Sequence, residues 1–270
     1  MKMRVLKTFT ILVMLSLAAV FSMNTVTNAA QININEDKLE KIFKGVEGTT
    51  VIKNVKTGKT YIVNEKRSKE RFTPESTFKV PNAVIGLTVK AVKNEYEVKR
   101  WDGIIREFEA WNTDHSLASA MRESAIWFYQ DMARDIGVKQ MQSNIDKMNY
   151  GNQDISGGID TFWLDSSLKI SAHEQVSFIE KLVKEELPFD KQVLKTVKRL
   201  MINDDQDSYV IHGKTGTRLS DLGLGWYVGY VETSKDVWVF ATNVDGSGTV
   251  AKNITRDCLH ELKIFNNQDK

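Results

Sequence analysis

The spacing of apolar and polar residues changes several times along the 270 residues. Thr49–Val55 and Lys59–Val63 are short β-branched runs joined by Lys56-Thr57-Gly58, the pattern of a hairpin. From Ser76 to about Pro188, apolar residues recur at helical spacing: Ile85, Val89 and Val92, then Ala125, Phe128, Met132 and Ile136, ending at Gly137. Two further helical stretches cover Ser171–Leu187 and Phe189–Met201. Strand patterns return at Tyr209–His212, Gly225–Val231 and Val237–Asn243, and a last helix is expected near Asn253–Ile264. Strands at both ends with helices between them predict an α/β protein of the α+β type. One antiparallel sheet is built from both chain ends, flanked by helices, with a helical subdomain inserted. The sheet part is expected over roughly 31–75 and 189–270, and the helical part over 76–188, within one domain.

The first residues alter this picture. Lys2, Arg4 and Lys7 precede an apolar run from Thr8 to Phe21, and the small residues Thr27, Ala29 and Ala30 follow. This is the pattern of a secretory signal peptide over 1–30. The run falls short of the roughly 20 residues that span a bilayer, so no stable membrane insertion is expected after cleavage. The mature chain is expected outside the cytoplasm, secreted or periplasmic. Removing 1–30 takes three of the 37 basic residues and none of the 35 acidic ones, leaving a net charge of −1. Nucleic acid is therefore not expected as a partner. Cys258 is the only cysteine, so no internal disulfide is possible, and the four histidines show no metal-ligand spacing.

Candidate chemistry begins at Thr73-Pro74-Glu75-Ser76-Thr77-Phe78-Lys79. On a helix, Ser76 and Lys79 share a face, so the amine can reach the hydroxyl. A serine needs such a base to become a nucleophile. Thr73 is read as a helix cap, with Pro74 at the first helical position and Glu75 complementing the dipole. Pro81 requires either a kinked helix or one that begins later. Ser166-Ser167-Leu168-Lys169 repeats the spacing, so the tetrapeptide alone decides nothing.

A second feature is Lys214-Thr215-Gly216-Thr217, directly after a strand; its ammonium and hydroxyls could hold a carboxylate. The same tripeptide at Lys56 is explained by its turn. Ser124-Ala125-Ile126 reads alone as a helix cap, and Tyr150-Gly151-Asn152 as a turn.

Taken in order, Ser76-x-x-Lys79, Ser124-x-Ile126, Tyr150-Gly151-Asn152, Trp163, Lys214-Thr215-Gly216 and Trp226-x-x-Gly229 resemble the class D (oxacillinase-type) serine β-lactamases. The likeness covers essentially the whole mature chain. It implies the penicillin-recognising fold, a small-molecule β-lactam substrate and hydrolysis through an acyl-enzyme on Ser76. It implies no metal or bound cofactor. Carbon dioxide, supplied as bicarbonate, would convert Lys79 to N6-carboxylysine, the base for both acylation and deacylation. The resemblance also gives roles to neighbours of this pair. Trp163 would donate its indole N–H to the carbamate, and Ser124 with Lys214 would relay a proton to the lactam nitrogen. The backbone of Ser76 and Thr217 would form the oxyanion hole. Thr215, Gly216, Ile126 and Leu164 would complete the substrate site.

Two departures stand out. Ile126 replaces the family's usual valine, and the arginine expected near the start of the last helix is missing; Lys252, Arg256 and Arg218 are the nearby cations. Two other functions share these motifs. A penicillin sensor that stays acylated usually carries asparagine where Ile126 stands, and cell-wall transpeptidases typically show Ser-x-Asn. Neither pattern is present, which favours turnover.

Overall fold

The computed structural model describes residues 36–265; the signal peptide expected over 1–30 lies outside them. A helix over 36–42 (α1) leads into the hairpin β1 (Gly48–Asn54) and β2 (Thr60–Val63), followed by a short α2 (Glu65–Lys69). A tight 3₁₀ turn, Glu75–Phe78, runs directly into α3 (Lys79–Thr88). The two-residue strands β3 (Val98–Lys99) and β4 (His115–Ser116) pair, and α4 (Leu117–Arg122) and α5 (Ile126–Met148) follow. Next come α6 (Ala172–Val183), α7 (Lys191–Leu200), β5 (Ile202–Gln206), β6 (Tyr209–Thr217), β7 (Gly225–Thr233), β8 (Val237–Val244) and α8 (Gly248–Glu261).

The main sheet has the order β2-β1-β8-β7-β6-β5 and is antiparallel throughout. The two chain ends join within it, where Thr50 of β1 stands opposite Thr242 of β8. This is the expected sheet built from both ends, with the helical segment between.

Alternation along the strands gives each face its own core. Val51, Val228, Val239 and Ala241 point towards α6 and the helical segment, among Phe78, Phe128 and Ile179. Ile52, Tyr227, Phe240 and Val231 point the other way, onto Leu39 of α1 and Ala251, Ile254 and Leu259 of α8. A period of two makes this division automatic, and each large apolar side chain so buried contributes about 1.5–3 kcal/mol.

Several elements differ from expectation: α2, the β3–β4 pair and α4 were not expected, and the helix expected to end at Gly137 breaks there, at φ +74°, but resumes and runs on to Met148. β5 was not foreseen, because Asn203, Asp204, Asp205 and Gln206 are polar on both faces; it forms the sheet edge, which needs no apolar side. α8 begins at Gly248 rather than near Asn253, because the Ser247 hydroxyl caps it by accepting from the Val250 N–H. Helix α1 was missed, although Asn35-Glu36-Asp37 is a start signal in the sequence. Pro81 is accommodated by the second of its two alternatives. The α-helix starts at Lys79, which places Pro81 in the first turn, where backbone N–H groups have no helical acceptor. The turn Lys56-Thr57-Gly58 closes the hairpin, with Asn54 Oδ1 accepting from the N–H of Lys56 and Thr57.

Candidate active site

The 3₁₀ turn that carries Ser76 is tied down on every side. Trp226 Nε1 of β7 donates to the Thr73 carbonyl at 2.9 Å, and the Thr77 hydroxyl donates to the Pro74 carbonyl at 2.6 Å. Gln175 of α6 donates to the same Thr77 hydroxyl. The Gly216 backbone of β6 lies flat on the turn: a Cβ there would stand 3.0 Å from the Pro74 carbonyl oxygen. Glycine at this position is what allows the strand its approach. Thr73 is not the helix cap read from the sequence. Its hydroxyl donates to Glu75 Oε1, and Pro74 holds the cap position without a side-chain bond.

Lys79 is fully buried. Its Nζ donates to Ser76 Oγ at 2.8 Å and lies 5.4 Å from the Tyr129 ring centre. Aromatic rings fill the volume around the turn: Phe78 stacks on Trp163 at 5.3 Å and meets Phe162 and Tyr150 edge-on. Burial holds the Lys79 amine well below the usual lysine range; the Lys214 charge pushes the same way, and Glu75 opposes it. Trp163 Nε1 is buried and has no hydrogen-bond partner among the described residues. An orphaned buried donor is costly unless an acceptor meets it.

On the opposite wall, Lys214 of β6 donates to Ser124 Oγ at 3.0 Å and to the Thr215 carbonyl at 2.9 Å. Burial, then the charge of Lys252, brings the Lys214 amine down to about 7. Ser124 is not a cap: Ala125 holds the cap position of α5, and Ser124 precedes it with φ +57°. Left-handed backbone at a serine costs of order 1–3 kcal/mol, which the surrounding packing sustains.

Between these walls lies a cleft of about 160 Å³. Ser76, Ser124, Ile126, Thr215 and Thr217 line it. Leu164 is half-buried against the main core beside Trp163, and the Gly216 backbone backs the serine turn. Phe108, Trp111, Glu123 and Leu219 complete the rim and were not foreseen. Phe108 and Trp111 pack ring to ring at 4.6 Å, and the Trp111 indole donates to the Glu123 carbonyl. Their segment carries no regular spacing, and its mark is a run of exposed apolar side chains, Ile104, Ile105 and Phe108.

Tyr150-Gly151-Asn152 serves the site from behind. Asn152 Oδ1 accepts from the Lys169 N–H, its Nδ2 donates to the Ser167 carbonyl, and a Cβ on Gly151 would lie 2.2 Å from the Lys169 carbonyl oxygen. The tripeptide thereby fixes the loop that returns from Trp163. That loop contains the second Ser-x-x-Lys, whose Lys169 is exposed, so this copy forms no buried pair. Of the three cations near the missing arginine, Arg218 is paired with Asp221 and Arg256 with Asp204. Lys252 makes no ion pair among the described residues; its Nζ lies 5.9 Å from the Tyr227 ring centre.

Comparison with known proteins agrees with this architecture. The family described as "Penicillin binding protein transpeptidase domain" matches residues 48–260. "Probable beta-lactamase YbxI" of Bacillus subtilis is 54% identical over 259 residues, covering 94% of this chain and 97% of that protein. "Beta-lactamase OXA-48" of Klebsiella pneumoniae is 40% identical over 226 residues, covering 81% of this chain and 84% of its own. Among solved structures, "Class D beta-lactamase BAT-2" superposes with a TM-score of 0.83 at 59% identity, covering 85% of this chain and 97% of that one.

Proposed function

Because the chain belongs to the class D β-lactamases, hydrolases of β-lactams, we propose that it opens the ring of penicillin-type antibiotics through a serine acyl-enzyme. In this reading Ser76 is the nucleophile and Lys79, carboxylated on its amine, is the base. One observation carries it: the fully buried Lys79 amine lies 2.8 Å from Ser76 Oγ.

The residues fit an N-carboxyl group on Lys79. Desolvation keeps the amine neutral, the form that attacks carbon dioxide, and Trp163 Nε1 is a donor without an acceptor. When present, the carboxylate supplies a base able to take a proton from the Ser76 hydroxyl and later from a water. The rest of the reaction belongs to the side chains and backbone. Ser76 Oγ attacks the lactam carbonyl carbon, and the backbone N–H groups of Ser76 and Thr217 stabilise the charge that develops on its oxygen. Ser124, held by Lys214 at 3.0 Å, delivers a proton to the departing lactam nitrogen. The ammonium of Lys214 and the hydroxyls of Thr215 and Thr217 receive the substrate carboxylate. Ile126 and Leu164 keep the lysine end of the site apolar. An export signal over 1–30 accords with this role, since these substrates are met outside the cytoplasm. Among the described residues no helix is long and apolar enough to cross a membrane.

Mass spectrometry of the protein mixed with benzylpenicillin, followed over time, tests the proposal. The expected result is a transient adduct on Ser76 together with hydrolysed drug. An adduct that persists without product would mean a penicillin receptor, and no adduct at all would remove the serine mechanism.

A further inference from the structure

Glu75 is the residue whose placement the mechanism leaves unexplained. It precedes the nucleophile, its carboxyl is buried at 2% exposure, and its backbone is left-handed at φ +51°. An acid in the first turn of a helix ordinarily serves the free N–H groups of that turn. This one reaches elsewhere. Its Oε1 accepts from the Asp165 N–H at 3.0 Å, ninety positions along the chain, and from the Thr73 hydroxyl at 2.7 Å. Its own N–H donates to the Trp163 carbonyl at 3.0 Å. One backbone bond and one side-chain bond therefore bracket Trp163-Leu164-Asp165 and fasten it to the serine turn. Asp165 is itself left-handed at φ +46° and leans on Arg218 at 3.7 Å, so the segment is held in a conformation it would not choose alone.

We propose that Glu75 is a positioning residue: its carboxyl locks the Trp163–Asp165 segment onto the serine turn, with Trp163 stacked on Phe78, and so keeps the Lys79 pocket closed and dry. The inference rests on the reading of Lys79 as a carboxylated base. Geometry makes the lock specific to an acceptor at the end of a glutamate-length side chain. Aspartate is one methylene too short to span to the Asp165 amide, and alanine offers no acceptor. Glutamine retains both the reach and the accepting oxygen. Burial pushes the Glu75 carboxyl up from its usual range. The charged groups facing it are Asp165, Arg218 and Lys79.

The test titrates intact protein with ¹³C-bicarbonate and follows the lysine-bound carbamate carbon by NMR, below the melting temperature of each variant. Glu75→Ala and Glu75→Asp are expected to raise the half-saturating bicarbonate concentration about tenfold, the size of one buried hydrogen bond. Glu75→Gln is expected to stay within about twofold of the wild type on the same ground. A side chain that merely stabilised the fold would lower the melting temperature and leave the titration unmoved. If Glu75→Asp titrates like the wild type, the proposal is overturned, whether or not Glu75→Ala folds. Failure of Glu75→Gln to restore the wild-type midpoint would equally reject an acceptor role. If the wild type itself takes up no labelled carbon, the reading of Lys79 fails and this proposal falls with it.

Discussion

The Lys214 amine donates to Ser124 Oγ at 3.0 Å, joining β6 to the left-handed turn between α4 and α5. Because Lys214 is buried, its folded-state pKa falls from 10.5 to about 7. Between those values an unfolded chain holds a proton that the folded chain has given up. Raising the pH from 7 to 10 therefore favours the folded state, and that advantage is lost as pH falls through about 7. Urea unfolding should show the wild type gaining on Lys214→Met across this window, by on the order of 1 kcal/mol per pH unit. Lys252 depresses Lys214 further by its charge. Lys252→Met should thus move the alkaline limb of kcat/KM upward by roughly half a pH unit, read from a profile between pH 5.5 and 9.

Ser76→Ala removes the hydroxyl that accepts from the Lys79 amine at 2.8 Å. Turnover of benzylpenicillin should fall by about 10⁴-fold or more, with no covalent adduct in the mass spectrum. Substrate binding should survive, since the cleft walls from Ser124 to Thr217 are untouched.

Trp163→Phe separates the indole's packing from its hydrogen bond. A phenyl ring keeps the stack on Phe78 but offers no donor. The variant should fold, lose activity on dilution into bicarbonate-free buffer, and recover it on adding bicarbonate, with about a tenfold higher half-saturating concentration than the wild type. Identical bicarbonate dependence in the two proteins would deny the indole its role.

Gly229→Ala tests how tightly β7 is laid against β6. A Cβ at that position would fall 2.0 Å from the His212 carbonyl oxygen and 2.8 Å from Gly213 Cα. Backbone cannot yield as a side-chain tip can, so the sheet should lose at least about 2 kcal/mol, measurable by urea denaturation.

Much of this arrangement is legible in the chain. The runs of β-branched and aromatic residues at Val51, Tyr227 and Phe240 mark strands because strands with a buried face select such side chains. The Ser76–Lys79 pair is readable because one turn of helix suffices to bring the two together. What escaped depends on partners far along the chain. Glu75 looks like an ordinary first-turn acid until Asp165 is beside it. Ser124 looks like a cap until the turn is seen to be left-handed, with Lys214 facing it. Strand β5 escaped for the opposite reason: an edge with both faces wet leaves no apolar rhythm to find.

The sheet places β1 between β2 and β8, so the first strand made by the ribosome waits for the last. The serine turn lies directly on β6 and β7, and these strands join β1 only through that late strand. Nascent chains that end before about residue 244 lack the strand that joins β1 to β7, and the pairing that completes the sheet is a long-range one. A chain cut anywhere before β8 should yield no weakened enzyme, only an unfinished one.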